Sequence, residues 1–260
     1  MPRKPAKAKP FATEAALCAA FIADATRDGK WTAYAETGGF DILLVRPKDG
    51  LQIGIQAKLV LNARVLEQSL PDWYSHGTTG PDCRAVLVPD GCGGGLSTVC
   101  DYLGLTVIQQ RAPSSRSPHA TRFRPELPAR PNDWDYWAMK RWHQWCPNNR
   151  IKLPEYVPDV AAGAAAPLQL TDWKIKAIKL AVLLEHRPVQ RSDFRSLGIS
   201  PTRWTDRHHG WLRATPVGYV ATPHMPKFAR EHPVNYRQIK ADVGVWGKDL
   251  LREQGTGRLL

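Results

Sequence analysis

Residues 41–61 read DILLVRPKDGLQIGIQAKLVL. Two apolar-rich runs, Asp41 to Arg46 and Leu51 to Leu61, flank the turn-forming Pro47-Lys48-Asp49-Gly50, which predicts an antiparallel hairpin. A turn centred between Lys48 and Asp49 sets Asp41 opposite Gln56, and directly opposed residues on antiparallel strands project to one face. Lys58, two residues on, joins that face. The other face then carries Ile42, Leu44, Ile53, Ile55 and Ala57, all apolar and suited to packing against a helix. One side of the hairpin is core, and the other gathers a carboxylate, a carboxamide and an ammonium.

Outward from the hairpin, the pattern predicts a helix over Thr13 to Asp28, where Leu17, Ala20, Phe21 and Ala25 recur at helical spacing and Gly29 stops it. Trp31 to Ala35 reads as a short strand. A second helix is expected over Ala63 to Tyr74, a buried strand over Cys83 to Pro89, a helix over Leu96 to Leu103 ended by Gly104, and a last strand over Leu105 to Gln109. The order, α-β-β-β-α-β-α-β, predicts an α/β sandwich. Residues 112–131, rich in Pro, Ser and Arg, read as an irregular connection. Asn132 to Trp145 packs Trp134, Trp137, Trp142 and Trp145 into a few helical turns, a spacing more typical of core residues than of a base-stacking platform. Residues 153–170, with three prolines and an Ala/Gly run, read as a linker. The resulting division is a basic tail over 1–10, a first domain over 11–111, a connector over 112–170 and a second domain over 171–260.

The polar face of the hairpin has a chemical use. Asp41 offers hard oxygens to Mg²⁺, and the Gln56 side-chain oxygen adds a neutral ligand. Lys58 can orient or deprotonate an attacking water, or balance charge in a phosphoryl transition state. Metal plus ammonium is the minimum kit for phosphodiester hydrolysis. The competing reading is a half-exposed strand with polar residues toward solvent.

Asp41 followed by Gln56-Ala57-Lys58 at the end of the next strand, inside an α-β-β-β-α-β frame, resembles the PD-(D/E)XK nuclease superfamily over residues 11–110. The QxK form resembles its Mrr-like branch, in which glutamine replaces the usual acid. The resemblance implies a restriction-endonuclease-like sandwich and DNA cleavage dependent on Mg²⁺ or Mn²⁺, with Asp41, Gln56 and Lys58 as the active-site trio. It also implies a first-helix glutamate, a position Glu14 fills; Glu14 is equally suited to opposing the helix macrodipole. Glu36, in ETGGFD beside Gly38-Gly39, is a candidate metal ligand with Asp41 and Gln56, or simply a loop acid. Gln56 departs from the usual pattern, because a neutral amide binds metal more weakly than a carboxylate. A catalytically inactive, DNA-binding version of the fold is therefore the alternative.

After residue 170, Thr171 to Arg187 reads as an amphipathic helix and Gln190 to Leu197 as a short one that Gly198 ends. Ser200 and Pro201 suit the start of a third helix. Trp211 to Thr215 and Gly218 to Thr222 flank Pro216-Val217 as a hairpin. Residues 170–223 resemble a winged helix, a mainly α domain, in which Thr202, Arg203, Asp206 and Arg207 would face the major groove of duplex DNA. Trp204 and Trp211 read as core. A winged helix used for protein contact is the competing reading. Around Tyr236–Glu253 the chain looks helical again.

Charge supports a polyanion partner. Of the net +12, residues 1–110 contribute nothing, with 11 Lys+Arg against 11 Asp+Glu, while residues 111–260 hold 25 against 13. A basic half beside a neutral one suggests nucleic acid. No apolar run approaches the ~18 residues a membrane helix needs, and the basic start MPRKPAKAKP leads into no apolar signal region. Five cysteines without a CxxC pair argue against a zinc ribbon or disulfide scaffold and suggest a reducing cytoplasm. Gly91-Cys92-Gly93-Gly94-Gly95 lacks a Walker lysine and reads as a loop. His208-His209 would point about 100° apart on a helix, a poor arrangement for one metal. Cleavage of both strands of a duplex would suggest a homodimer.

Overall fold

The structure, a computed structural model, describes residues 10–71, 79–112, 122–128, 141–145, 147–163, 169–202, 204–205, 210–248 and 250. The chain divides into two compact units, 1–153 with 160–169 and 154–159 with 170–260. The segment that reads as a linker is thus shared between the two units. Among the described residues, no helix is long and apolar enough to cross a membrane.

The first unit is mixed α/β. Helix α1 (Glu14–Ala25) starts where the Thr13 hydroxyl accepts the Ala16 N–H at 3.1 Å, satisfying one of the free donors of a first turn. Strands β1 (Thr32–Thr37) and β2 (Phe40–Arg46) close on Gly38-Gly39, whose φ angles of 65° and 83° suit a two-residue hairpin turn. Strand β3 (Leu51–Ala57) pairs with β2 in the register set by the Pro47–Gly50 turn, with Ile42 opposite Ile55 and Leu44 opposite Ile53. Helix α2 (Ala63–Ser69) follows, capped by the Asn62 side chain on the Val65 N–H. It ends at Ser69, because Leu70 precedes Pro71 and takes an extended conformation, as residues before proline do, while residues 72–74 of the expected helix lie outside the described residues. Next come β4 (Thr79–Gly80), β5 (Cys83–Pro89), a 3₁₀ turn at Gly94–Leu96, α3 (Ser97–Tyr102), β6 (Leu105–Gln110), β7 (Phe123–Arg124) and β8 (Asn149–Arg150).

The sheet has six strands in the order β1-β2-β3-β5-β6-β7. The first three form an antiparallel meander, β3, β5 and β6 are parallel, and β7 closes the far edge antiparallel to β6. Helix α1 covers one face: Leu17, Cys18, Phe21 and Ala25 pack with Ile42, Leu44, Ile53, Ile55, Ala57, Ala85 and Leu87. On the other face Val65, Leu66 and Cys100 from α2 and α3 pack with Val86, Val88 and Leu105. The connector is less irregular than its composition suggests. Phe123 joins the sheet edge and stacks edge-on with Phe21 at 5.1 Å, and Trp142 is buried in the main core. Trp134 and Trp137 lie outside the described residues.

The second unit has helix α4 (Asp172–His186), capped by Thr171, then α5 (Arg191–Ser196), the hairpin β9 (Leu212–Thr215) and β10 (Gly218–Ala221), and helices α6 (Phe228–Glu231), α7 (Pro233–Ala241) and α8 (Val243–Trp246). Phe194, Trp204, Leu212 and Phe228 pack with the buried side of α4, and Trp204 is fully buried. Residues 154–159 are fastened here through Asp159, whose carboxylate accepts N–H groups of Val234 and Asn235 and faces His232 Nδ1 at 3.0 Å. An anion at the first turn of α7 offsets that helix's positive end. The helix expected from Ser200 is not an element of the described residues. The Ser200 hydroxyl donates to Thr202 Oγ1 instead of capping a backbone N–H, and the Trp204 N–H closes a turn onto Pro201 O.

Candidate functional site

Three consecutive residues after the Gly38-Gly39 turn organise the end of the hairpin. The Gly39 carbonyl accepts the Gln56 Nε2–H at 2.6 Å. The Phe40 ring lies against Gly54 so closely that a Cβ there would sit 2.6 Å from it. The Asp41 carboxylate accepts the Ala57 N–H at 2.7 Å. This last bond explains why the β2–β3 ladder stops at Ile42–Ile55 and does not extend to Asp41 and Gln56: a side-chain oxygen takes the donor that a further strand partner would take. Beyond Ala57 the strand ends, the Lys58 N–H turns to Leu87 O, and the Lys58 ammonium reaches Glu14 Oε2 on α1 at 2.6 Å.

The electrostatics tie these groups together. Burial raises the Asp41 pKa above its ordinary 3.8; the Ala57 N–H and Lys58 oppose that shift, and Glu14 adds to it. Cys18, one turn along α1 from Glu14, is pushed up to about 12, first by burial and then by Asp41, Glu14 and Glu36, with Lys58 opposing. Four of the five residues singled out by sequence therefore act on one buried thiol. The fifth, Gln56, is 7 % exposed and joins them through Gly39. Cys18 is fully buried with a raised pKa, which suits packing and not nucleophilic attack.

Glu36 is placed differently from Asp41 and Gln56. Its backbone is left-handed (φ 49°), and its carboxylate accepts the Gly163 N–H at 2.6 Å. Gly163 itself backs onto the start of α1, where a Cβ would lie 3.3 Å from the Ala15 nitrogen. Glu36 is thus engaged by Gly163 and also lies within 3.5 Å of the Gln169 amide nitrogen.

Fit to a divalent cation rests on the oxygens these bonds leave over. Asp41 uses one carboxylate oxygen on Ala57. Because the Gln56 amide nitrogen faces Gly39 O, its oxygen points elsewhere. Asp41 Oδ1 and Gln56 Oε1 accept no other hydrogen bond among the described residues. Mg²⁺ is commonly held by one or two carboxylates with several waters retained, and a carboxylate and a carboxamide oxygen are donors of the hard type it takes. Among the described residues there is no group of three or more His, Cys, Asp or Glu side chains arranged to hold a metal.

Of the residues expected to face DNA, Thr202 is exposed, while Arg203, Asp206 and Arg207 lie outside the described residues. Sequence reading missed one group, Arg84, whose guanidinium lies 5.5 Å from the Phe40 ring and 5.4 Å from that of Trp145. The signal was a lone cation in the otherwise apolar strand CRAVLVP. Comparison of the chain with protein-family models, with curated proteins and with solved structures finds no match in any of the three.

Proposed function

We propose that the chain is a metal-dependent deoxyribonuclease, with a restriction-endonuclease-like first unit and a second unit that acts as a winged-helix-like holder of duplex DNA. One observation carries the reading: Asp41 is half-buried, held by the Ala57 N–H, and raised in pKa by burial beside Glu14, with the Lys58 ammonium in the same neighbourhood. A carboxylate kept where ionisation is disfavoured gains from a cation, and perturbed acids cluster at functional sites. Asp41 Oδ1 and Gln56 Oε1 would hold Mg²⁺ or Mn²⁺, which when bound supplies Lewis-acid stabilisation of a phosphodiester. Lys58 is positioned by Glu14 to orient a water or meet developing negative charge. In the second unit, exposed Arg191, Arg195 and Arg213 on α5 and the β9–β10 hairpin suit a phosphate backbone.

The test is incubation of the purified chain with supercoiled plasmid in Mg²⁺, in Mn²⁺ and in EDTA. Nicking or cutting is expected only with metal, and Asp41→Ala and Lys58→Ala should each abolish it while duplex binding persists. Cleavage in EDTA, or full activity in either variant, sinks the assignment. Gln56→Glu should tighten Mn²⁺ binding by calorimetry, because it adds a charged ligand. A second reading, a DNA-binding protein without catalysis, is favoured by the Lys58–Glu14 ion pair, which occupies the ammonium. Duplex binding with no metal-dependent product under any condition would establish that reading.

A further inference from the structure

Three cations are buried among the described residues: Arg46, Arg84 and Lys179. Arg46 is paired with Asp49 at 2.7 Å, and Lys179 with Glu155 at 2.7 Å. Arg84, 8 % exposed, has no carboxylate partner among the described residues. Of its five N–H donors, the structure provides for one: Nη1 donates to Ser69 O at 2.8 Å, at the end of α2. Its Nε is buried without any hydrogen-bond partner. Burial alone pulls its pKa down, with no anion opposing.

Leaving a cation in this state costs more than two ring contacts return. Burying an unpaired charge is expensive even after relaxation, whereas a cation–π contact is a modest compensation. The surroundings nonetheless bring two aromatic rings to the guanidinium. Phe40 lies on Gly54, the register partner of Arg84, where only a residue without Cβ leaves room. Trp145 is fixed by its own N–H on Asp82 O and its indole N–H on Gly104 O. A planar cation over two ring faces, with unused donors, is preorganised for an oxyanion. Its location suggests which one. Gly54, the register partner of Arg84, and Gln56 lie on the same face of β3, two residues apart.

We propose that Arg84 is a phosphate-binding residue, taking a phosphate group of the nucleic acid held at the Asp41–Gln56 end of the sheet. This deepens the nuclease reading and rests on it only for the source of the phosphate.

The full-length chain provides the test, in EDTA so that cleavage plays no part. Inorganic phosphate, titrated at ionic strength held constant with NaCl, should raise the Tm of the wild type, because a ligand bound only by the folded state stabilises it. A fluorescein-labelled duplex measures nucleic-acid affinity by anisotropy. Arg84→Met preserves the apolar stem and removes the unpaired charge, so its ligand-free Tm should equal or exceed that of the wild type. The phosphate-induced rise should vanish, and duplex affinity should fall about tenfold or more. Arg84→Lys keeps the charge without the planar fork and should weaken both several-fold. Loss of the phosphate effect with unchanged duplex affinity would uphold the phosphate site and make free phosphate its ligand. A lowered Tm in Arg84→Met with both readouts intact would overturn the proposal and leave the guanidinium a structural spacer. Should Arg84→Met fail to fold, absence of any phosphate effect in the wild type together with wild-type duplex affinity in Arg84→Lys would overturn it equally. A chain that never cleaves plasmid but passes these tests would lose the nuclease reading alone.

Discussion

Buried charge at Asp193 in the second unit is handled in the opposite way to that at Asp41 and Arg84 in the first. In the second, Asp193 is 1 % exposed and fully provided for: Arg187 grips it with two nitrogens at 2.7 Å each, and the Gln190 N–H caps it at 2.6 Å. In the first, Asp41 is held by one N–H against its preference for neutrality, Arg84 lacks a counter-ion among the described residues, and the Lys58–Glu14 pair stands half in solvent at 25 % and 36 % exposure. A saturated buried carboxylate such as Asp193 holds a loop in place. An unsaturated one stores interaction for a partner that arrives later.

The largest break in that contrast comes from the saturated side. Asp193→Ala removes the carboxylate that balances Arg187 and should cost about 3–5 kcal/mol, the usual penalty for removing one partner of a buried pair; urea denaturation of the full chain reads it. Next comes Gly54→Ala, whose Cβ would meet the Phe40 ring at 2.6 Å. Overpacking of this kind costs about 1–3 kcal/mol and should also weaken phosphate binding by displacing one wall around Arg84. A loss of stability without any change in phosphate binding would show the two rings to be unnecessary. Glu14→Gln should change stability by less than about 1 kcal/mol, since partly exposed ion pairs contribute little; a larger loss would place Glu14 with the structural charges.

The finest test is pH. The folded-state pKa of Asp41 is raised, so its contribution is intact below the ordinary value of 3.8 and is lost as pH rises through the higher folded value. Asp41→Asn never ionises. It should therefore be the more stable protein at neutral pH, with the difference closing as pH falls through that window. Parallel stability profiles for the two proteins would mean that Asp41 is not held against its ionisation.

The α-β-β-β-α-β-α-β order was legible because alternation, turn residues and caps act locally. Thr13, Asn62 and Thr171 cap helices where a short polar side chain precedes an apolar run. The Pro47–Gly50 turn alone fixes the β2–β3 register, since a turn of known centre leaves one pairing. The same turn suggested grouping Asp41, Gln56 and Lys58, but the ladder stops at Ile42–Ile55, one pair short of Asp41 and Gln56. Their partners were not legible, because each lies far along the chain or on the backbone: Ala57 N–H for Asp41, Gly39 O for Gln56, Glu14 for Lys58 and Gly163 N–H for Glu36. Composition made residues 153–170 a linker, whereas Asp159 finds three partners on and beside α7 and Ala162 joins the first unit's core. Arg84 shows the boundary most clearly. Sequence could place a cation in a buried strand, but whether a carboxylate waits opposite it depends on which side chains the fold brings to that face, and only the tertiary structure decides that.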